Sequence, residues 1–321
     1  MALSALAVFS EYVNESSTEV ATQQAELFNA ASRNTILLKP GVNCGDYSDR
    51  AFWAKVSGLV RRRNAYGSGA VALKTLAQLI ETMVKISAGT PPVEINPGML
   101  KWICKNPEEA GAVIGRQLAT DMLLDMLNTS VAATFAALSG QAAVIYDATG
   151  DVPDTMTATA LNKGAAKFGD RSSDIIAWVV HSTPLTDFYN TAIANASTLF
   201  KYDTINVIAD PFGRVFIVSD IPALITAGTP NIYNILGLTA GAVNIEKNDD
   251  FTDNYATTNG DENILRTYQA EWTYSLGIKG FTWDKTNGGK SPNDAALVVA
   301  TNWDKIATSN KDLAGVLVKV N

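Results

Sequence analysis

The strongest single element in the pattern runs from Pro107 to Ser139, where alanine, leucine and methionine dominate and interior charge is confined to Arg116, Asp121 and Asp125. Asn106 stands at the N-cap and Pro107 at the first helical position. Glu108 and Glu109 complement the positive end, and Gly140 supplies the stop. The pattern predicts a single helix, roughly 50 Å long at about 1.5 Å per residue. A helix so apolar must be covered over much of its surface. Gly111 and Gly115 are expected to soften its first turns.

The preceding pattern is weaker. Ser16, Ser17 and Thr18 offer N-caps to a helix whose stripe is Val20, Leu27 and Phe28 and which ends at Ser32. Residues 51–60 mix β-favouring and polar side chains, and 76–86 do the same, although the second stretch reads equally as helix. Between them lie Arg61, Arg62, Arg63 and the flexible tip Gly67-Ser68-Gly69. These features predict a long two-stranded loop that leaves the body and returns near Pro91-Pro92. Such a hairpin has little core of its own and needs a neighbour to lie on.

Beyond residue 150, helix and strand alternate. Residues 157–167 read as helix ending at Gly169, 174–180 as a buried strand, and 182–196 as a helix opened by Ser182-Thr183-Pro184. Two strands, 205–209 and 214–218, flank the turn Asp210-Pro211-Phe212-Gly213. Residues 232–245 and 264–283 are further strand, and the tail from Leu313 closes with one more. There is no internal repeat.

Composition changes the picture in two ways. With 47% hydrophobic residues in 321, the chain can bury one large or two smaller cores. Only 18% of residues are charged, which suggests surface covered by something else. The net charge is −7, yet residues 41–90 hold Arg50, Lys55, Arg61, Arg62, Arg63, Lys74 and Lys85 against only Asp46, Asp49 and Glu81. Two surfaces of opposite sign let copies attract one another. The acidic balance argues against a dedicated nucleic-acid binder.

The N-terminal MALSALAVFSE has no basic region and meets Glu11 early, so it does not read as a signal peptide. No apolar stretch is read as a membrane span. Cys44 and Cys104 are too few for a disulfide framework, and the chain reads as soluble and cytosolic when made.

Catalytic and metal chemistry is sparse. His181 is the sole histidine. A hydrolase triad would need it, with Ser219 and Asp220 or Ser182 and Asp187, and no nucleophile-elbow motif accompanies them. Cys44, Cys104 and His181 make a poor zinc set. In the acidic loop Asp249, Asp250, Asp253, Asp261 and Glu262, a calcium register from Asp250 has Tyr255 where glycine is needed and Thr252 at an oxygen-donor position. The loop reads better as solvated, or as an acidic partner for the basic arm of another copy. No cofactor is implied. The interface candidates are therefore Arg50, Trp53, Lys55, Arg61, Arg62 and Arg63 on the arm and Asp249, Asp250 and Asp253 on the body.

The segments DYSDRAFWAKVSGLVRRRNAYGSG (46–69), DIIAWVVHSTPLTDFYNTAI (174–193), DPFGRVFIVSDIPAL (210–224) and SPNDAALVVATNWDKIA (291–307), in this order, resemble the major capsid proteins of tailed bacteriophages. The resemblance implies an α+β, HK97-like fold: an N-terminal arm (1–40), an extended β-hairpin loop (41–90), a peripheral domain with a spine helix (91–145), an axial α/β domain (146–263) and C-terminal strands returning to the peripheral domain (264–321). It implies hexamers and pentamers of an icosahedral shell around double-stranded DNA, held without sequence-specific contacts. The place of action would be the virion capsid, assembled in the host bacterial cytoplasm without membrane association. The short arm after Met1 implies a separate scaffolding protein and no maturation cleavage, with a portal and a decoration protein as further partners. An encapsulin-like compartment shares the fold and is the nearest alternative. A soluble α/β hydrolase using His181 and a nucleic-acid binder using Arg61–Arg63 are others.

Overall fold

The computed structural model describes residues 2–43, 45–54, 56, 58–193, 208–209, 213–259 and 264–321. The chain opens with α1 (Ala2–Ala31) and β1 (Ile36–Gly41). A hairpin of β2 (Tyr47–Trp53) and β3 (Gln78–Gly89) follows, then β4 (Val93–Glu94), α2 (Pro97–Lys105) and α3 (Pro107–Ser139). Next come β5 (Ile145–Asp147), α4 (Ala158–Ala165), β6 (Ile175–Val180), α5 (Ser182–Ile193), β7 (Ile208–Ala209), β8 (Val215–Val218), β9 (Ile225–Thr226) and β10 (Ile232–Thr239). The remainder is β11 (Val243–Asn248), β12 (Thr252–Thr258), β13 (Leu265–Ile278), β14 (Phe281–Trp283), α6 (Asp294–Leu297), β15 (Trp303–Lys305) and β16 (Gly315–Val320).

Helix α3 has the bounds its sequence predicts. The Asn106 side chain does not cap the helix backbone; its Nδ2 donates to Glu109 Oε2 at 3.1 Å. Contrary to the sequence reading, this helix is long and apolar enough to cross a membrane, by length and composition only. Over half of its most apolar window is buried inside the fold, as expected of a core helix.

The N-terminal helix departs further from expectation. It begins at Ala2, so Ser16, Ser17 and Thr18 lie within it instead of capping it. Ser17 Oγ donates to the Asn14 carbonyl at 3.0 Å, and Ser16 Oγ to the Ala112 carbonyl of α3 at 3.2 Å. Hydroxyls bonded to carbonyls in this way fit a helix interior. Leu6, Phe9, Val13 and Phe28 are buried, and full burial of each such side chain contributes about 1.5–3 kcal/mol. Gly111 and Gly115 are contact points and do not break α3. A Cβ at Gly111 would lie 2.8 Å from the Phe9 carbonyl oxygen, and one at Gly115 2.7 Å from that of Val13.

The first sheet runs β1-β11-β13-β3-β2, with β12 and β4 also pairing β13. The second runs β5-β16-β10-β6-β8-β7, with β9 on β10, and β14 pairs β15 apart from both. Sheet membership cuts across chain order. β11 and β12 sit with the hairpin in the first sheet, whereas C-terminal β16 lies between β5 and β10 in the second. The cause is burial: β10 is covered along most of its length, and β16 is buried at Val316, Leu317, Val318 and Val320. A central strand needs hydrogen-bonding partners on both edges. Gly237 of β10 leaves room for Trp178 of β6, whose ring would be 2.4 Å from an added Cβ.

The predicted hairpin is present with shifted ends. Its first strand is Tyr47–Trp53, and pairing stops at Trp53↔Gln78. The helical reading of 76–86 fails because β3 is laddered to β2 and β13. Of the predicted strand 205–209, Ile208–Ala209 is strand; residues 205–207, the turn residues 210–212 and residues 194–196 of the predicted helix end lie outside the described residues.

Candidate assembly interface

Three ion pairs root the hairpin in its own subunit. Asp46 meets Lys290 at 2.8 Å, Asp49 meets Lys285 at 2.7 Å, and Arg50 pairs with Glu246 of β11. Lys39 of β1 joins the last pair, its Nζ 3.1 Å from Glu246. Burial would raise the Glu246 carboxyl, but bonds from Lys39 and Asn244 and the Arg50 charge hold it below its usual value. Asp46 and Asp49 are held low chiefly by hydrogen bonds from Lys290 and Lys285 respectively. Glu81, paired across from Arg50, is pushed up by burial.

Every acidic residue of the hairpin thus lies at or near its root. Residues 54–77 carry Lys55, Arg61, Arg62, Arg63 and Lys74 and no acid. Arg61, Arg62 and Arg63 are exposed and, among the described residues, meet no carboxylate. Large apolar side chains accompany them: Trp53 is 64% exposed, Leu73 95% and Tyr66 fully, with Leu59 and Val60 also open. Contiguous exposed apolar side chains beside cations are uncommon on protein surfaces away from interaction sites.

The structure sorts the predicted site residues. Trp53 and Arg61–Arg63 are available to a partner, and Lys55 lies outside the described residues. Arg50 is committed to Glu246 inside the subunit. Asp250 accepts from Thr273 N at 2.9 Å and lies 3.4 Å from Lys85; Asp253 accepts from Ser10 Oγ of α1. Both are therefore occupied by their own chain, while Asp249 is exposed. These pairings join residues far apart in sequence and leave no local signal. Among the described residues, no three His, Cys, Asp or Glu side chains converge as a metal site, and Asp261 and Glu262 lie outside them. Cys104 is a free, exposed thiol.

His181 has a positional role at the start of α5. Its Nδ1 accepts from the Thr183 backbone N–H at 3.2 Å, and its Nε2 lies 3.5 Å from Asp220. Asp220 also accepts from Ser182 N at 2.9 Å, placing a carboxylate at the positive helix end. The ring rests 5.6 Å from that of Tyr233. These contacts employ both ring nitrogens at the helix start, and the Nδ1 bond is to backbone, not to a serine hydroxyl.

No curated protein matches the chain in sequence. Among solved structures, the Cyanophage Pam1 capsid asymmetric unit is similar with a TM-score of 0.50 and 11% identity, over 89% of this chain and 88% of that one. The acid-stable capsid of Helicobacter pylori bacteriophage KHP30 is similar with a TM-score of 0.50 and 10% identity, over 91% and 88%. At such identity the likeness speaks for the fold, which is HK97-like. The family described as Gp13-like, Major capsid protein 13-like, matches residues 5–317. The chain belongs to this major capsid protein family.

Proposed function

We propose that copies of this chain assemble as hexamers and pentamers into an icosahedral shell around a double-stranded DNA genome. The observation that carries this reading is the distal hairpin, whose Arg61–Arg63 and large apolar side chains are exposed and, among the described residues, meet no carboxylate. Laid across an adjacent subunit, it would gain the neighbour that an isolated hairpin lacks. Residues 1–40 then act as the N-terminal arm and 41–90 as the extended loop. The first sheet with α3 forms the peripheral body, and the second sheet forms the axial part near the five- and six-fold positions. The net charge of −7 suits a container whose lining lets packaged DNA slide. A scaffolding protein, a portal and a decoration protein are the partners of this reading, with assembly in the host bacterial cytoplasm.

The experiment is electron microscopy of the purified full chain, alone and with the scaffolding protein. Closed shells are expected. Protein that stays monomeric under both conditions contradicts the proposal.

A further inference from the structure

We infer that the distal hairpin of one copy lands on the exposed face of α1 in a second copy, with Glu11, Glu15 and Glu19 receiving the Arg61–Arg63 run. This rests on the shell reading and names the surface that the hairpin covers.

Helix α1 carries Glu11, Glu15, Glu19 and Glu26 and no basic residue. At about 100° per residue, all four fall within a sector of roughly 80°. All four are exposed, and among the described residues no cation pairs with them. Glu11, Glu15 and Glu19 repeat at i, i+4, a spacing at which like charges destabilise a helix. The subunit leaves that repulsion unrelieved, and a cationic partner would reverse its sign.

Beside this stripe a groove of about 650 Å³ opens between α1, β1 and α3. Leu38, Met122, Met126 and Phe251 give it an apolar lining, with exposed Glu26 and Asp249 also part of its wall. Its lysines are already attended: Lys39 is paired with Glu246, and Lys247 lies in the field of Asp249 and Asp250. The hairpin offers the complement, namely five cations without an acid and the open side chains of Leu59, Val60, Tyr66 and Leu73. Apolar anchors suit the groove, and guanidinium groups suit carboxylates. The donor and acceptor patches differ, so each copy both gives and receives. Such a head-to-tail contact adds copies around a ring.

Charge reversal tests this in the full chain. R61E/R62E/R63E and E11K/E15K/E19K are each expected to lower the assembled fraction at least tenfold by sedimentation and negative-stain microscopy. One chain carrying both sets is expected to recover assembly. The neutral E11Q/E15Q/E19Q relieves the repulsion within α1, so it keeps the helix folded by circular dichroism, and it is expected to weaken assembly less than reversal does. If the arginine set blocks assembly while both glutamate sets assemble like the parent, the landing site is wrong and the strap survives. If the arginine set also assembles like the parent, the strap reading falls too. An arginine effect seen only with DNA present would assign the run to nucleic acid and overturn the inference.

Discussion

Asp49 on β2 accepts two bonds from the Lys285 ammonium, at 2.9 and 2.7 Å, and a third from Thr82 Oγ1 at 2.8 Å. Together with Asp46–Lys290 it ties the hairpin root to the loop after β14. Both carboxyls are held below the ordinary aspartate range by these lysines. A depressed folded pKa contributes stability that is present above the unfolded value and lost as pH falls through the folded one. The clamp is therefore complete at neutral pH and opens only in acid below about pH 4. Hydrogen exchange at β2 is expected to be unchanged between pH 7 and 5, after correction for intrinsic rates, and to accelerate near pH 3. In D46N/D49N the acid-specific acceleration should shrink to the part that comes from protonating Glu246 opposite Arg50. Equal acid sensitivity of parent and variant would contradict the clamp.

Gly115→Ala should destabilise the fold, because its methyl group would lie 2.7 Å from the Val13 carbonyl oxygen and α1 would have to move. Overpacking of this kind costs about 1–3 kcal/mol. Ala119, one turn on and fully buried, already carries its methyl group, so A119G serves as the opposite control, with cavity and helix-propensity losses instead of a clash. Urea denaturation reads both. A parent-like midpoint for Gly115→Ala would mean that the two helices are not in close contact there.

These cases show where the sequence was readable. Pro107 at the first turn, the apolar run and the Gly140 stop of α3 are local, and its bounds follow from them. The buried strand β6 and the existence of the hairpin were legible too. The first half of α1 was missed because its stripe of Leu6, Phe9 and Val13 gains meaning only against the glycine face of α3, a hundred residues away. Helix α2 was missed although Pro97 marks its first turn. Asp250 and Asp253 looked like free partners for a neighbour because Thr273 and Ser10 reach them through tertiary pairing. The Arg50–Glu246 pair is equally silent in the sequence, since the carboxylate is on a distant strand.

Asp125, midway along α3, offers a second pH effect of opposite sign. Partial desolvation against the fold first, then repulsion from Asp294, raises its pKa although the residue keeps exposed surface, against a bond from Tyr274 Oη at 3.3 Å. A carboxyl raised in the folded state costs stability while ionised, and that cost is relieved as pH falls through the folded value. D125N is therefore expected to unfold at a higher temperature than the parent at pH 7, with the gap narrowing as pH falls toward the unfolded value of 3.8. A gap that is constant with pH would show that charge is not its cause.

The central claim is that the distal hairpin is a strap between subunits. A cryo-EM reconstruction of assembled particles tests it most directly, because residues 54–77 can be traced from their own subunit to whatever they touch. The account expects Arg61–Arg63 and Tyr66 buried against a neighbouring copy. Shells in which this segment rests on its own subunit, or projects freely into solvent, would contradict it.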